Sequence, residues 1–330
     1  MKTKLSLAFA AFALAFVASR AFAAATVEVD GSSTVYPITE AVAEEFQKVG
    51  GGTRVTVGIS GTGGGFKRFC RGETDISDAS RPILKEEMIL CAQNGVKYVE
   101  LPVGMDALTI VVGKGSTWVD YLTVAELKKM WEPAAQGKVT SWKQIRDSFP
   151  DEKLALAGPG ADSGTFDYFT EAVVGKAKSS RGDYQASEDD NVIVQFVSRN
   201  KGALGYFGLA YYEENMDKLK AVPVKATDTA PAVLPSVATV NDGTYQPLAR
   251  PLFIYVSAKA MKRPEVKQFV DFYLKEGGAL AKEVGYIDLP AEEYVQAQQN
   301  FAAVKLGTAF GGVPKVGVRV ADLLKREGKM

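Results

Sequence analysis

"TVEVDGSSTVYPITEAVAEEFQKVG", residues 26–50, changes its apolar period part-way along. Thr26–Val29 alternates as a β-strand does, whereas Val35, Ile38, Val42, Phe46 and Val49 recur at steps of three and four and build one helical face. Pro37 falls in the first turn, where its missing N–H costs nothing, and Gly50 follows the last turn as a stop. Between strand and helix lie Ser32, Ser33 and Thr34. A strand feeding a helix through a short polar loop is the repeating unit of an α/β protein.

The same alternation runs down the chain. Further β-type runs are read at Arg54–Ile59, Asp75–Ser77, Val96–Leu101, Leu108–Val112, Leu154–Leu156, Leu204–Tyr206 and Leu252–Val256. Two long extended stretches, "YVELPVGMDALTIVV" (98–112) and "TVNDGTYQPLARPLFIYV" (239–256), read as crossings between lobes, with Asp242-Gly243 as a turn in the second. Two crossings make the first lobe discontinuous, residues 24–106 with 251–330, and leave 107–250 as the second.

Residues 1–23 read as a signal peptide: Lys2 and Lys4 precede the apolar run Leu5–Val17, and Ala21-Phe22-Ala23 supplies a cleavage site. The mature chain is then expected in the periplasm. Cleavage removes Lys2, Lys4 and Arg20 and no acid, taking the 39 basic residues to 36 against 39 acidic ones. A net charge of −3 argues against a nucleic-acid partner. Two cysteines, Cys70 and Cys91, in a secreted chain suggest one disulfide, the alternative being two buried thiols.

The chain of 330 residues contains no histidine. That excludes Ser-His-Asp and Cys-His catalytic units and His-ligated metal sites. The Asp/Glu residues show no metal-like spacing, so neither a metal nor a cofactor is expected, and a secreted phosphatase is a weak alternative.

Three loop-to-helix junctions share one composition. They are Ser32-Ser33-Thr34, Ser60-Gly61-Thr62 of "GISGTGGGFKRF" (58–69) and Ser163-Gly164-Thr165 of "AGPGADSGTFDYF" (157–169). The first N–H groups of a helix lack intrahelical partners and carry the positive end of its dipole, which suits an anion. Glycine permits close approach and hydroxyls add donors. Each junction taken alone is also an ordinary N-cap. Three together, two of them after adjacent strands, point to one shared oxyanion site. The glycine run lacks the Gly-Lys-Ser/Thr ending of a P-loop, and Phe66 breaks G-x-G-x-x-G, so a small anion fits better than a nucleotide.

"GETDISDASRPI" (72–83) adds Asp78 and Arg81. Arg81 offers a forked clamp. Asp78 beside an anion is explicable if the ligand carries its own proton, as phosphate does and sulfate does not, although capping the next helix or pairing with Arg81 would equally account for it.

"DGSSTVYPI", "GISGTGGGFKRFCRGETDISDASRPI", "GPGADSGTFDYFTEAV" and "SRGDYQASEDDNV" together resemble the periplasmic phosphate-binding proteins of ABC-type phosphate importers. The resemblance runs through essentially the whole mature chain. It implies a two-lobed type II substrate-binding fold with two hinge strands, closing as a monomer on one phosphate that is passed to importer membrane subunits. It puts Ser33, Thr34 and Val35 on the first phosphate loop and Ser60, Gly61 and Thr62 on the second. Asp78 becomes the acceptor carboxylate, and Ser163, Gly164 and Thr165 the contacts from the other lobe. Many members carry an arginine four residues before that serine, where this chain has Pro159. Arg81, and after it Arg181, is the expected replacement. Arg181-Gly182-Asp183 spells an adhesion tripeptide and is read as a chance match or a loop contact. Another oxyanion, such as sulfate or molybdate, is the alternative ligand, and a phosphate-sensing or adhesion scaffold a weaker alternative role.

Overall fold

The structure is a computed structural model describing residues 25–49, 51–161, 163–187, 189–313, 318–326, 328 and 330. The signal-peptide reading and the Gly50 stop lie outside the described residues. In chain order the strands are β1 (Thr26–Gly31), β2 (Arg54–Ile59), β3 (Ile76–Ala79), β4 (Tyr98–Gly113), β5 (Leu122–Thr123), β6 (Ala155–Gly158), β7 (Gln185–Ala186), β8 (Ala203–Gly208), β9 (Leu219–Ala221), β10 (Val224–Lys225) and β11 (Ala249–Ser257). The helices are α1 (Tyr36–Val49), α2 (Thr62–Cys70), α3 (Lys85–Gln93), α4 (Val124–Trp131), α5 (Gly164–Phe169), α6 (Asp190–Arg199), α7 (Leu209–Glu213), α8 (Val237–Asn241), α9 (Pro264–Glu283), α10 (Ala291–Ala302) and α11 (Val320–Lys325).

Eight strands follow one another in the order β2-β1-β3-β11-β4-β8-β6-β7, with β9 beside β4. The pairs β1/β2 and β1/β3 are parallel, so β1, β2 and β3 deliver their chain exits to one edge of the sheet. Strand β4 does two jobs. Its first part pairs antiparallel with β11, from Tyr98 to Ala107, and its second pairs with β8 and β9, from Leu108 to Gly113. The β-type runs at 96–101 and 108–112 are thus the two ends of the extended stretch read at 98–112, one strand that passes from one half of the sheet to the other. The missed strands β5, β7, β9 and β10 have two or three residues each, too short to carry a period.

Helix α1 buries Ile38, Thr39, Val42, Ala43 and Phe46 against α9, where the Phe46 and Phe269 rings meet edge to face at 5.3 Å. Val49 does not belong to that face: it ends the helix and is 69% exposed. On the other side of β3, Phe66 and Phe69 of α2 pack with Tyr98 and Tyr255, and Cys70 is disulfide-bonded to Cys91 of α3. Tyr206 and Phe207 of β8 are fully buried core residues. Asp242-Gly243 is not a turn between strands. Ser236 accepts the Thr239 N–H and starts α8, and Asp242 caps its end, so a capping Ser-x-x-Thr overrides the β-type composition. No described helix is long and apolar enough to cross a membrane.

Candidate functional site

The loops leaving β1, β2 and β3 meet at the carboxyl edge of the parallel strands. After β1 the Ser32 N–H donates to the Asp78 carbonyl (3.0 Å), and the Thr34 N–H donates to the Ser32 hydroxyl (3.2 Å). This crossing requires glycine at position 31, where φ is 149° and a β-carbon would stand 2.1 Å from the Asp78 carbonyl oxygen. After β2 the Ser60 N–H donates to the buried Asp30 carboxylate (3.0 Å), which is also ion-paired with Arg68. Helix α2 starts at Gly61 with no side-chain cap, leaving its first N–H groups open to an anion. After β3 the Ser80 hydroxyl lies 3.1 Å from the Thr62 hydroxyl.

The third junction, after β6, closes on the first. Ser163 caps α5 by accepting the Thr165 N–H (3.1 Å), and Gly164 lies against the loop after β1. A β-carbon on Gly164 would stand 2.3 Å from Thr34 Oγ1 and 3.0 Å from Ser33 Oγ. Ser33, Thr34 and Gly164 are thus brought together. So are Ser60, Gly61 and Thr62 with Ser80. Val35 is wholly buried beneath them and presents no side chain to the cleft.

Both of the cations expected at this site are already engaged by acceptors within the protein. Arg81 gives both η-nitrogens to Glu87, at 2.9 and 2.8 Å, and lies over the Phe66 ring; it sits at the lip of the cleft with its charge already answered. Arg181 is 5% exposed and spends its guanidinium on Asp183 and on the Met130 and Val139 carbonyls. Arg250 is the guanidinium that faces the loops. Its Nη2 donates to Thr34 Oγ1 (3.1 Å), its carbon lies 3.8 Å above the Tyr168 ring, and it pairs with Asp106 (3.4 Å), its cross-strand partner on β4. Burial pushes the Asp106 carboxyl up and the Arg250 charge draws it back, so each needs the other.

Asp78 also departs from expectation. It is wholly buried, and neither carboxylate oxygen has a hydrogen-bond partner among the described residues. Desolvation pushes its pKa up to about 8. The Thr39 hydroxyl, itself 2.9 Å from the Tyr273 hydroxyl, offsets part of this, and the nearby Asp30 charge adds to it. Alternation along β3 turns Asp78 toward α1 and α9, while Ser80, one residue past the strand, reaches the cleft.

Arg250 had a signal in the sequence. Asp106 is one of two carboxylates in β4, and a buried carboxylate needs hydrogen-bond donors or a cation. The nearest way to supply one is from the neighbouring strand, and the second crossing stretch carries one arginine, Arg250.

Residues 17–276 match a family model described as a PBP superfamily domain. The chain belongs to the PBP superfamily. Among its relatives in that superfamily, protein SphX of Synechococcus elongatus is 55% identical over 92% of this chain and 89% of its own. The phosphate-binding protein PstS of Staphylococcus saprophyticus is 41% identical over 83% of each chain. The solved structure of a possible phosphate binding protein from Planctomyces limnophilus superposes with a TM-score of 0.79 at 48% identity, covering 85% of this chain and 98% of that one. An ABC-type phosphate transport receptor from Vibrio cholerae superposes at 0.65 with 25% identity, over 80% and 100%. This PBP superfamily chain is therefore similar, over 80–85% of its length, to proteins named for binding or transporting phosphate.

Proposed function

We propose that the protein is an extracytoplasmic binding protein that captures inorganic phosphate by closing two lobes and delivers it to the membrane subunits of an ABC-type importer. It performs no chemistry of its own. The observation that carries this reading is the convergence on Thr34, where Arg250 from the hinge strand and Gly164 from the far side of the cleft meet the loop after β1. The lobes are read as 24–106 with 251–330, and 107–250. The change of partner along β4 at Ala107/Leu108 and the start of β11 at Ala249 support those limits.

Phosphate is assigned to the donors of Thr34, Thr62, Ser80, Arg250, Ser163 and Thr165, with the backbone N–H groups around Ser33, Ser60 and Gly61 beside them. A dissociation constant near 1 μM requires about 8 kcal/mol. Hydrogen bonds to a charged group contribute roughly 1.5–3 kcal/mol each, so this donor set suffices even after the anion is dehydrated. Because donors come from both lobes, the anion favours the closed form by its differential affinity.

Titration calorimetry of the anion-free mature protein tests the reading. The expected result is one-to-one phosphate binding and no turnover of a chromogenic phosphate ester. Sulfate binding as tight as phosphate would make the protein a general oxyanion receptor.

A further inference from the structure

The hydrogen bonds to Arg250 do not by themselves fix its orientation. One Asp106 oxygen lies 3.4 Å from both Nε and Nη2, a long pairing, and Thr34 Oγ1 accepts from Nη2 at 3.1 Å. Nη1 has no acceptor among the described residues. All these contacts meet one edge of the guanidinium fork, and contacts along one edge leave the plane free to tilt about it. The tilt is set by a ring: the guanidinium carbon lies 3.8 Å from the centre of Tyr168.

Tyr168 is itself held on two sides. It is 6% exposed, and its hydroxyl donates to the Pro247 carbonyl (2.5 Å), three residues before Arg250 on the same return crossing. It also lies four residues after Gly164 in α5, and residues four apart share a helix face. That one face therefore meets Thr34 twice. Gly164 touches it directly, and Tyr168 carries the guanidinium that donates to it.

We infer that Tyr168 is a positioning residue for the anion site, its ring orienting Arg250 so that the fork points at the bound phosphate instead of folding back onto Asp106. This rests on the phosphate reading above, since Arg250 is one of the assigned donors. A π face attracts the cation without using any of its N–H groups, which lie in the guanidinium plane and stay available to the anion. An aliphatic side chain in the same place would fill the space and leave the tilt unset.

The test is a double-mutant cycle read by calorimetry with inorganic phosphate, on the wild type, Tyr168→Leu, Arg250→Ala and the double variant. Tyr168→Leu is expected to weaken phosphate at least tenfold when Arg250 is present, and less than threefold when position 250 is alanine, because no guanidinium is then left to orient. Tyr168→Phe keeps the ring and should recover most of the loss. Tyr168→Met, closer to tyrosine in length, should behave as Tyr168→Leu does and replaces it in the cycle if a thermal melt shows the leucine variant unfolded. A tyrosine that only fills the core would weaken binding equally in both backgrounds. That additivity, or a Tyr168→Phe as weak as Tyr168→Leu, overturns the inference and leaves the phosphate reading standing. If the wild type does not bind phosphate, both fall.

Discussion

Gly164 and Thr34 come from opposite sides of the cleft and touch, with room for no atom between the glycine α-carbon and the threonine hydroxyl: a β-carbon there would stand 2.3 Å from Oγ1. Closure depends on that missing methyl. Gly164→Ala should therefore weaken phosphate binding at least tenfold while leaving the melting temperature of the anion-free protein nearly unchanged, because the clash exists only when the lobes meet. Calorimetry and a thermal melt decide it, and small-angle scattering should show that saturating phosphate no longer compacts the variant.

Arg250 should be the residue whose loss costs most affinity. Arg250→Ala removes the charge that reaches Thr34 and leaves Asp106 buried without its partner. Losing a hydrogen-bonded charge of this kind costs about 3 kcal/mol, roughly a hundredfold in affinity. Arg250→Lys should recover only part, since a point charge cannot hold Thr34 and Asp106 at once while stacking on Tyr168. Arg81→Ala, by contrast, should cost less than tenfold, because Glu87 already holds that guanidinium.

Asp78 should report itself in stability. Its folded pKa of about 8 lies above the value near 3.9 of an unfolded aspartate. Between those values the unfolded chain releases a proton that the folded chain keeps, so stability should fall as pH rises, by up to about 1.4 kcal/mol per pH unit. Below about pH 4 both states are protonated, and above about pH 8 both are ionised, so the slope vanishes. Asp78→Asn should flatten the slope in urea melts between pH 5 and 8. It should not abolish it, since burial also raises Glu293 to about 7 and adds a slope of the same sign. An unchanged slope would place the titrating group elsewhere.

The Cys70–Cys91 bridge closes a loop with a sequence separation of 21 and ties α2, whose first turn faces the anion site, to α3. Its removal in Cys70→Ser/Cys91→Ser should cost about 3 kcal/mol of stability by the loop-entropy argument. Equilibrium denaturation measures this directly, and phosphate affinity should change by less than the stability does.

What the sequence disclosed and what it hid divide along a physical line. Loop-to-helix junctions are local events, so Ser32–Thr34, Ser60–Thr62 and Ser163–Thr165 could be read from composition and capping chemistry, and the structure gathers them at one edge. The cation could not be read that way. Arg250 acts through Asp106, which is 144 residues away in the chain and adjacent only because β4 and β11 pair antiparallel. Arg81 offers a forked clamp in the sequence, but Glu87 in the first turn of α3 reaches back and takes both of its η-nitrogens. Asp78 is hidden for a related reason: it lies within β3 and points to the α1/α9 side, whereas Ser80 lies past the end of the strand, and only the sheet pairing sets where the strand stops and which face is which.

The most direct measurement is a crystal structure of the protein with phosphate bound. The account predicts one phosphate with oxygens within hydrogen-bonding distance of Thr34, Ser80, Arg250 and the Ser163-Gly164-Thr165 turn, and Arg81 still paired with Glu87. A phosphate held by Asp78 and Arg81, with Arg250 remaining on Asp106 alone, would contradict it.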